Sequence, residues 1–271
     1  MNRGLIRKTV RDVWLATLLF GIGIAGFEAL LAYIGPTVFA ESSGQLLQLQ
    51  FVQTMLKGLL GADIGDVLNP RTLSAFAWVH PIVLALLWAH EITFWTRMPA
   101  GEIDRGTIDL LLSFPVSRTR IYCCETLVWL VAGLTVILMG LAGNLIGFQF
   151  LAPEFRSALP KLLAVVANAY CLYLAVGGVA ALVSTLSDRR GRAVGVIFGI
   201  VLASFLLNFL AQFWAPAGHV SFLSFLDYYR PLLIFRDSSW PLKDMAILIA
   251  IGTGFWAAGL AVFVRRDICT V

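Results

Sequence analysis

Long apolar stretches alternate with short polar segments along most of this chain. Six of the stretches are long enough for the ~20 residues with which a helix crosses the hydrocarbon core of a bilayer. They are residues 13–34, 73–95, 126–150, 159–186, 193–214 and 245–264. We predict a transmembrane helix in each of them. Pro81 is expected to bend the second, because an internal proline removes one hydrogen bond from a helix.

The composition supports this interpretation. The chain of 271 residues is 59% hydrophobic and only 13% charged, whereas soluble domains have about a quarter of their residues charged. The predicted fold class is therefore an all-α integral membrane protein with six transmembrane helices, in a single domain over residues 1–271. The pI of about 9.0 does not indicate a nucleic-acid partner, since the basic residues lie at the ends of apolar runs.

Two polar segments have helical patterns of their own. Residues 1–12 interleave basic with apolar residues, which predicts an N-terminal amphipathic helix at the membrane interface. The apolar run that follows is too long for a signal peptide and lacks a clear cleavage site, so we expect it to be retained. Residues 35–71 form a polar break in which leucines recur at helical spacing from Leu49 to Leu60, so a short interfacial helix is predicted there.

The basic residues define an orientation. With both termini cytosolic, the inner segments hold 13 of the 20 lysines and arginines, although the outer segments are longer. The positive-inside rule therefore places both termini and residues 97–120 in the cytosol. The arginines of residues 188–192 are either a further topology signal or a second contact for a cytosolic protein. We expect a multi-pass protein of the plasma membrane, which in a bacterium is the inner membrane.

The densest charged segment, residues 97–120, lies between the second and third predicted spans. It contains the apolar block from Leu110 to Leu112. A solvated loop has no need of such a block, whereas a short helix that docks on a partner buries one face and leaves the other in water. A protein surface is therefore favoured, although Arg105, Arg118 and Arg120 would also suit anionic lipid headgroups.

Residues 101–118 resemble the cytosolic coupling segment of ABC-2 type ABC-transporter permeases, whose pattern is roughly G-E-x-x-x-G-T-x-x-x-L-L-x-x-P-x-S-R. The matching residues are Gly101, Glu102, Gly106, Thr107, Leu111, Leu112, Pro115, Ser117 and Arg118. One departure is Glu125, where the family often has a basic residue. Residues 215–244 contain an aromatic stretch similar to the outer segment before the family's final span, which folds there as short re-entrant helices. By its residues alone this stretch would equally suit an ordinary interfacial loop.

The resemblance implies the permease subunit of an ATP-driven exporter. Two identical or homologous permease chains would form the translocation path in the lipid bilayer, and a cytosolic coupling helix of each would dock on a separate ATPase subunit. The residues it assigns to this coupling are Glu102, Gly106, Thr107, Leu111, Leu112, Pro115 and Arg118. The alternative is a membrane scaffold or assembly factor that recruits a cytosolic partner without transport.

No catalytic or cofactor site is predicted within the chain. It has no G-x-x-x-x-G-K-[ST] phosphate loop, so we expect it not to be an enzyme, and ATP and Mg²⁺ would bind the partner ATPase. His90 and Glu91 begin a zinc-protease pattern, but Phe94 stands where its second histidine is required, so no metal site is predicted. The path would be lined by leucine, phenylalanine, alanine and glycine, which suit lipids, hydrophobic drugs and peptides equally.

Four ionisable residues lie at predicted membrane depth: Glu28, His80, His90 and Glu91. Burying such a group alone is costly, so each is a candidate for an intramembrane polar contact. Glu28 and His80 reach similar depths, and a hydrogen bond between them would either clasp two spans together or serve the export path. Snorkelling side chains or misplaced span ends are the other interpretations. We expect His90 and Glu91 near the inner end of the second span, partly wetted.

Overall fold

A computed structural model describes residues 3–42, 49–50, 77–151, 153, 156–237 and 239–267. Most of this part of the chain is helical. The helices are α1 (Arg3–Ser42), α2 (Pro81–Trp95), α3 (Ala100–Asp104), α4 (Ile108–Leu112), α5 (Arg118–Gln149), α6 (Leu159–Leu186), α7 (Arg190–Ala211), α8 (Ala215–His219), α9 (Pro231–Asp237) and α10 (Leu242–Arg265). Two short 3-10 helices, Ser221–Leu223 and Phe225–Tyr228, lie between α8 and α9.

Five of these helices, α1, α5, α6, α7 and α10, are long and apolar enough to cross a membrane. The protein is therefore a helical multi-pass membrane protein. The remaining predicted span corresponds to α2, an apolar helix of 15 residues. At about 1.5 Å per residue, α2 is roughly 22 Å long, which is less than the ~30 Å thickness of the hydrocarbon core. Residues 73–76 of that predicted span lie outside the described part of the chain.

The first span is longer than predicted at both ends. α1 begins at Arg3 and runs past Gly35 and Pro36 to Ser42, so the basic N-terminal segment and the first span form one helix. The helix therefore does not end at residue 35 but continues into the first residues of the predicted polar segment. The interfacial helix predicted between Leu49 and Leu60 falls almost entirely outside the described residues.

Pro81 begins a helix instead of bending one. His80 is extended, with ψ of 132°, and its Nδ1 accepts a hydrogen bond from the amide of Ile82 at 3.3 Å, so it caps α2. The residue before a proline avoids the helical region, and proline suits the first turn of a helix, whose amides have no helical partner. The predicted bend is therefore a break between the helical residues 77–79 and α2.

Two helix pairs, α1–α5 and α6–α10, make the most extensive contacts of the bundle. A Cβ added to Gly143 of α5 would lie 2.0 Å from the carbonyl oxygen of Ala25 in α1. Similarly, a Cβ on Gly178 of α6 would lie 2.2 Å from the carbonyl oxygen of Gly252 in α10. Small residues let membrane helices approach to backbone contact, where van der Waals packing drives their association.

The segment between α7 and α10 folds as short helices. These helices pack back onto the long ones. The Tyr229 hydroxyl donates to the carbonyl of Trp78 at 3.0 Å, and Asn168 of α6 donates to the carbonyl of Tyr228 at 3.2 Å. This segment therefore covers one end of the bundle, and its inner face belongs to the core.

The other end of the bundle, which we call the basic end, collects the start of α1, residues 97–120, the connection between α6 and α7, and the end of α10. Lys8 of α1 lies 3.3 Å from Glu102. Arg266, just after α10, donates to the carbonyl of Thr185 near the end of α6 at 2.6 Å. The segments that the charge pattern assigns to one side of the membrane thus meet at one end of the protein.

Candidate functional site

Within residues 97–120, a tight turn joins α3 to α4. Gly106 in this turn has a φ of 67°, a conformation that favours glycine. The Thr107 hydroxyl donates to the Glu102 carboxylate, and the Thr107 amide donates to the Glu102 carbonyl at 2.9 Å. These features make residues 102–107 one hydrogen-bonded turn, which we call the Glu102–Thr107 turn. The turn explains the spacing of Glu102, Gly106 and Thr107 in the sequence.

Glu102 carries the negative charge of this turn and is only 7% exposed. Lys8 and Arg105 each approach its Oε1 at 3.3 Å. Burial by itself would raise the pKa of the Glu102 carboxyl. The hydrogen bond from Thr107 and the positive charges of Lys8 and Arg105 outweigh burial and hold that pKa below its ordinary value. Glu102 is therefore ionised at neutral pH and links the turn to α1.

Ser184 fixes the start of the segment to α6. Its hydroxyl donates to the carbonyl of Trp95 at 2.7 Å and accepts a hydrogen bond from the amide of Ala100 at 3.4 Å. Gly101 comes so close to the preceding chain that a Cβ would lie 2.9 Å from the carbonyl oxygen of Thr96. The end of α2 and the start of α3 are thereby held on α6. Sequence reasoning missed Ser184, because one serine in an apolar span forms no pattern.

The apolar block of the segment is divided between two surfaces. Leu111 is 8% exposed and packs in the chain's own core, and Leu112 is half-buried, whereas Leu110 is 68% and Phe114 60% exposed. Adjacent helical residues point about 100° apart, which explains the division. The apolar side chains available to a partner are Leu110, Phe114 and Pro115, which we call the exposed tip. The resemblance assigns coupling to Leu111 and Leu112, and of these two side chains Leu111 faces inward.

Arg118 connects the segment with the last span. Ser117 caps α5 by accepting a hydrogen bond from the amide of Arg120. The Arg118 guanidinium donates to the carbonyl of Phe263 at 3.2 Å and to the carbonyl of Arg266. These acceptors lie at the end of α10, where carbonyls lack helical donors. Arg118 of α5 therefore caps α10, a role that the motif alone does not reveal.

A buried ion pair lies behind the segment. Arg97 donates to Glu125 of α5, and about nine-tenths of each side chain is buried. Thr9 of α1 donates to the other Glu125 oxygen at 2.7 Å, and Asp12 of α1 lies 3.5 Å from Arg97. Glu125, the one departure from the family pattern, therefore joins α1 and α5 to the start of the segment.

A cavity of about 500 Å³ opens at the basic end. It lies between α1, α2, the Glu102–Thr107 turn and the start of α7. Its polar wall consists of Lys8, Asp12, Arg97, Glu102, Arg105, Thr107 and Arg190. Its less polar wall consists of Val13, Ala16, His90, Thr93 and Phe94. Residues of the predicted coupling turn thus line a cavity, which sequence patterns did not predict.

Glu28 has a different partner from the one predicted. It is fully buried in α1 and accepts a hydrogen bond from Asn144 of α5 at 2.8 Å. The His80 ring packs on Phe27, with ring centroids 4.9 Å apart, while its Nδ1 caps α2. The similar depths of Glu28 and His80 in the membrane could not identify the partner of Glu28, because depth does not show which face of each helix points inward. The clasp that Glu28 provides therefore joins α1 to α5.

His90 and Glu91 lie inside the bundle. The two His90 nitrogens are 3.2 Å from the Thr17 hydroxyl and 3.1 Å from the Tyr173 hydroxyl. His90 is 1% exposed and reaches the inner limit of the cavity, whereas Glu91 is fully buried against Gly177. The expectation of a partly wetted pair is therefore wrong for Glu91. Across the described residues, no group of three or more histidines, cysteines or acidic residues could hold a metal ion.

Comparison with known proteins identifies one family. A family model described as ABC-2 family transporter protein matches residues 6–268. The match includes residues 97–120, both walls of the cavity and all the helices named above except the first three residues of α1. No curated protein and no solved structure matches the chain.

Proposed function

Because this chain belongs to the ABC-2 family of transporter proteins and is thus the membrane subunit of an ABC transporter, we propose that it is the permease of an ATP-driven exporter. Two permease chains would form the translocation path, and residues 97–120 of each would dock on an ATPase subunit. The observation that carries this proposal is the exposed tip, where Leu110 and Phe114 extend from a segment otherwise tied to the bundle. Apolar surface rimmed by polar residues is typical of protein interfaces.

The basic end would face the cytosol. The segments that meet there contain most of the lysines and arginines of the chain, and positively charged loops are retained on the cytosolic side during insertion. Both termini would then be cytosolic, and the exposed tip would lie where ATP is present. The membrane would be the plasma membrane.

Hydrogen bonds provide a route from the tip to the spans. Ser184 joins the segment to α6, Arg118 joins it to α10, and Glu102 joins it to α1 through Lys8. Closure of the ATPase would move the segment and, through these contacts, shift the spans as rigid bodies. The chain itself supplies contacts and no chemistry. ATP and Mg²⁺ would bind the partner.

The test is to purify wild type and the Leu110→Ser/Phe114→Ser variant in detergent, each from cells that also produce the ATPase, and to compare how much ATPase is retained. We expect the variant to lose the ATPase and yet remain folded, because both side chains point away from the core. Leu186→Ser is the matched control, since Leu186 is a 57% exposed apolar residue at the same end but outside the tip. Equal retention of the ATPase by both variants would contradict docking at the tip.

The scaffold alternative predicts a different outcome. A scaffold would also retain a cytosolic partner through the tip, but the partner's ATP hydrolysis would not depend on the contact. Hydrolysis that rises in the complex and falls in the tip variant supports the permease. A partner without ATPase activity supports the scaffold.

A further inference from the structure

The cavity at the basic end has the dimensions of a ligand site. Its volume of about 500 Å³ lies in the range of roughly 300–1,000 Å³ that small-molecule sites occupy. Four separate parts of the chain contribute its walls. A bound molecule would therefore touch α1, α2, the Glu102–Thr107 turn and the start of α7 together.

The polar wall has an excess of positive charge. It contains two carboxylates and four cations: Asp12, Glu102, Lys8, Arg97, Arg105 and Arg190. Glu125, behind the wall, neutralises part of the charge of Arg97. Among the described residues, each of these cations except Arg190 forms an ion pair with a carboxylate. Arg190 contacts Asp104 through its backbone amide and not through its guanidinium. An anionic group would find its strongest available partner at Arg190.

The apolar part of the cavity lies deeper in the bundle. Ala16 follows Lys8 by eight residues in α1, which places it about 12 Å farther along the helix axis. Val13 and Phe94 line the cavity between these two levels. A ligand that fits both walls has an anionic group near Arg190 and an apolar chain that extends between α1 and α2.

We propose that the cavity binds an anionic amphiphile, with a phosphate, sulfate or carboxylate group at Arg190 and an apolar chain at Ala16, and that such amphiphiles are the exporter's substrate class. The binding site rests on the cavity alone, whereas the assignment of a substrate rests on the proposed function.

The same residues connect the cavity with the coupling segment. Glu102, Arg105 and Thr107 line the cavity and also form the turn that precedes the exposed tip. An anionic group that draws Arg105 or Lys8 away from Glu102 would change the contacts that hold this turn. Occupancy of the cavity would therefore alter the segment that docks on the ATPase.

Binding is measured on the purified chain alone, by native mass spectrometry from dodecyl maltoside micelles titrated with dodecyl phosphate. We expect one dodecyl phosphate per chain. Arg190→Gln should weaken its affinity about ten-fold, the order expected for one charge-assisted hydrogen bond. Arg192→Gln is the matched control, since it removes the same charge from the same turn of α7 at an exposed position outside the cavity. Equal affinities of these two variants overturn the proposal.

Other ligands and a second variant test the apolar wall. Dodecyltrimethylammonium, with the same chain and a cationic head, should not bind. Ala16→Leu narrows the cavity and should weaken dodecyl phosphate more than butyl phosphate. Inorganic phosphate should not displace dodecyl phosphate. If inorganic phosphate binds as tightly as dodecyl phosphate, the site is one for small anions and the proposal fails. A co-purified phosphatidylglycerol that dodecyl phosphate displaces one for one supports the site and identifies the bilayer as a source of ligand.

The substrate assignment has its own readout. In the complex with the ATPase, dodecyl phosphate should raise ATP hydrolysis for wild type and Arg192→Gln but not for Arg190→Gln. Binding without any change in hydrolysis overturns the substrate assignment. If no ATPase partner exists, the proposed function is rejected. The binding measured on the chain alone would still show whether the cavity is a binding site.

Discussion

At the scale of single residues, the Glu102 carboxylate contacts three side chains and joins the Glu102–Thr107 turn to α1. It accepts a hydrogen bond from Thr107 and contacts Lys8 and Arg105. Its folded pKa lies below the ordinary value of 4.5. The resulting stabilisation is therefore complete above the unfolded pKa and is lost as the pH falls through the lower folded pKa. The turn contributes its full stability at neutral pH.

Thr107→Val removes the hydrogen bond and should lower the free energy of unfolding by about 1 kcal/mol. It should also move the pKa of Glu102 toward the ordinary value, so that unfolding depends less on pH below 4.5 than in wild type. Thermal unfolding of the solubilised chain across this pH range measures both effects. Thr119→Val, at an exposed position of the same end, should change neither. An unchanged pH profile in Thr107→Val would show that this hydrogen bond does not set the charge of Glu102.

The Arg97–Glu125 pair should behave as a coupled unit. Arg97→Gln and Glu125→Gln should each destabilise the chain by roughly 3 kcal/mol, because each removes the nearest opposite charge from a buried ionised group. The double variant should lose much less than the sum of the two. A double-mutant cycle on thermal unfolding measures the coupling, and additive losses would contradict a direct interaction.

At the scale of the helices, Arg118 holds the ends of α5 and α10 together. Arg118→Ala should free the last carbonyls of α10, so that amides in the final turn, around residues 262–266, exchange hydrogen faster. Hydrogen–deuterium exchange of the solubilised chain measures this change. Arg120→Ala, which removes an exposed charge two residues away, is the control. Equal exchange in the two variants would show that Arg118 does not cap α10.

The helices differ in how well the sequence predicts them. α6 was predicted with its observed ends, because its sequence is predominantly apolar from end to end. α5 begins eight residues before the predicted span, since a helix can continue into polar sequence that hydropathy does not score. Contacts across the bundle were harder to predict. Leu111 faces inward and Asn144 meets Glu28 because of the way the helices pack against one another. The apolar periodicity of a single helix does not determine that packing.

At the scale of the whole molecule, three spans separate the exposed tip from the segment before α10. Ser113 and Ser239 are exposed positions on the two sides of these spans. In a variant whose native cysteines are alanine, Ser113→Cys should react with an impermeant maleimide only from the cytosol, and Ser239→Cys only from outside. Labelling of both positions from the same side would contradict the topology.

The hydrogen bond from Asn144 to Glu28 joins residues 116 positions apart. A ribosome adds about 5–20 residues per second, so α1 waits on the order of 6–23 s for α5 to be synthesised. During that interval the amide that donates to Glu28 in the folded protein does not yet exist. An ionisable group is costly in lipid without a partner. α1 should therefore remain beside the insertion machinery until α5 arrives, and the two helices should enter the bilayer as a pair.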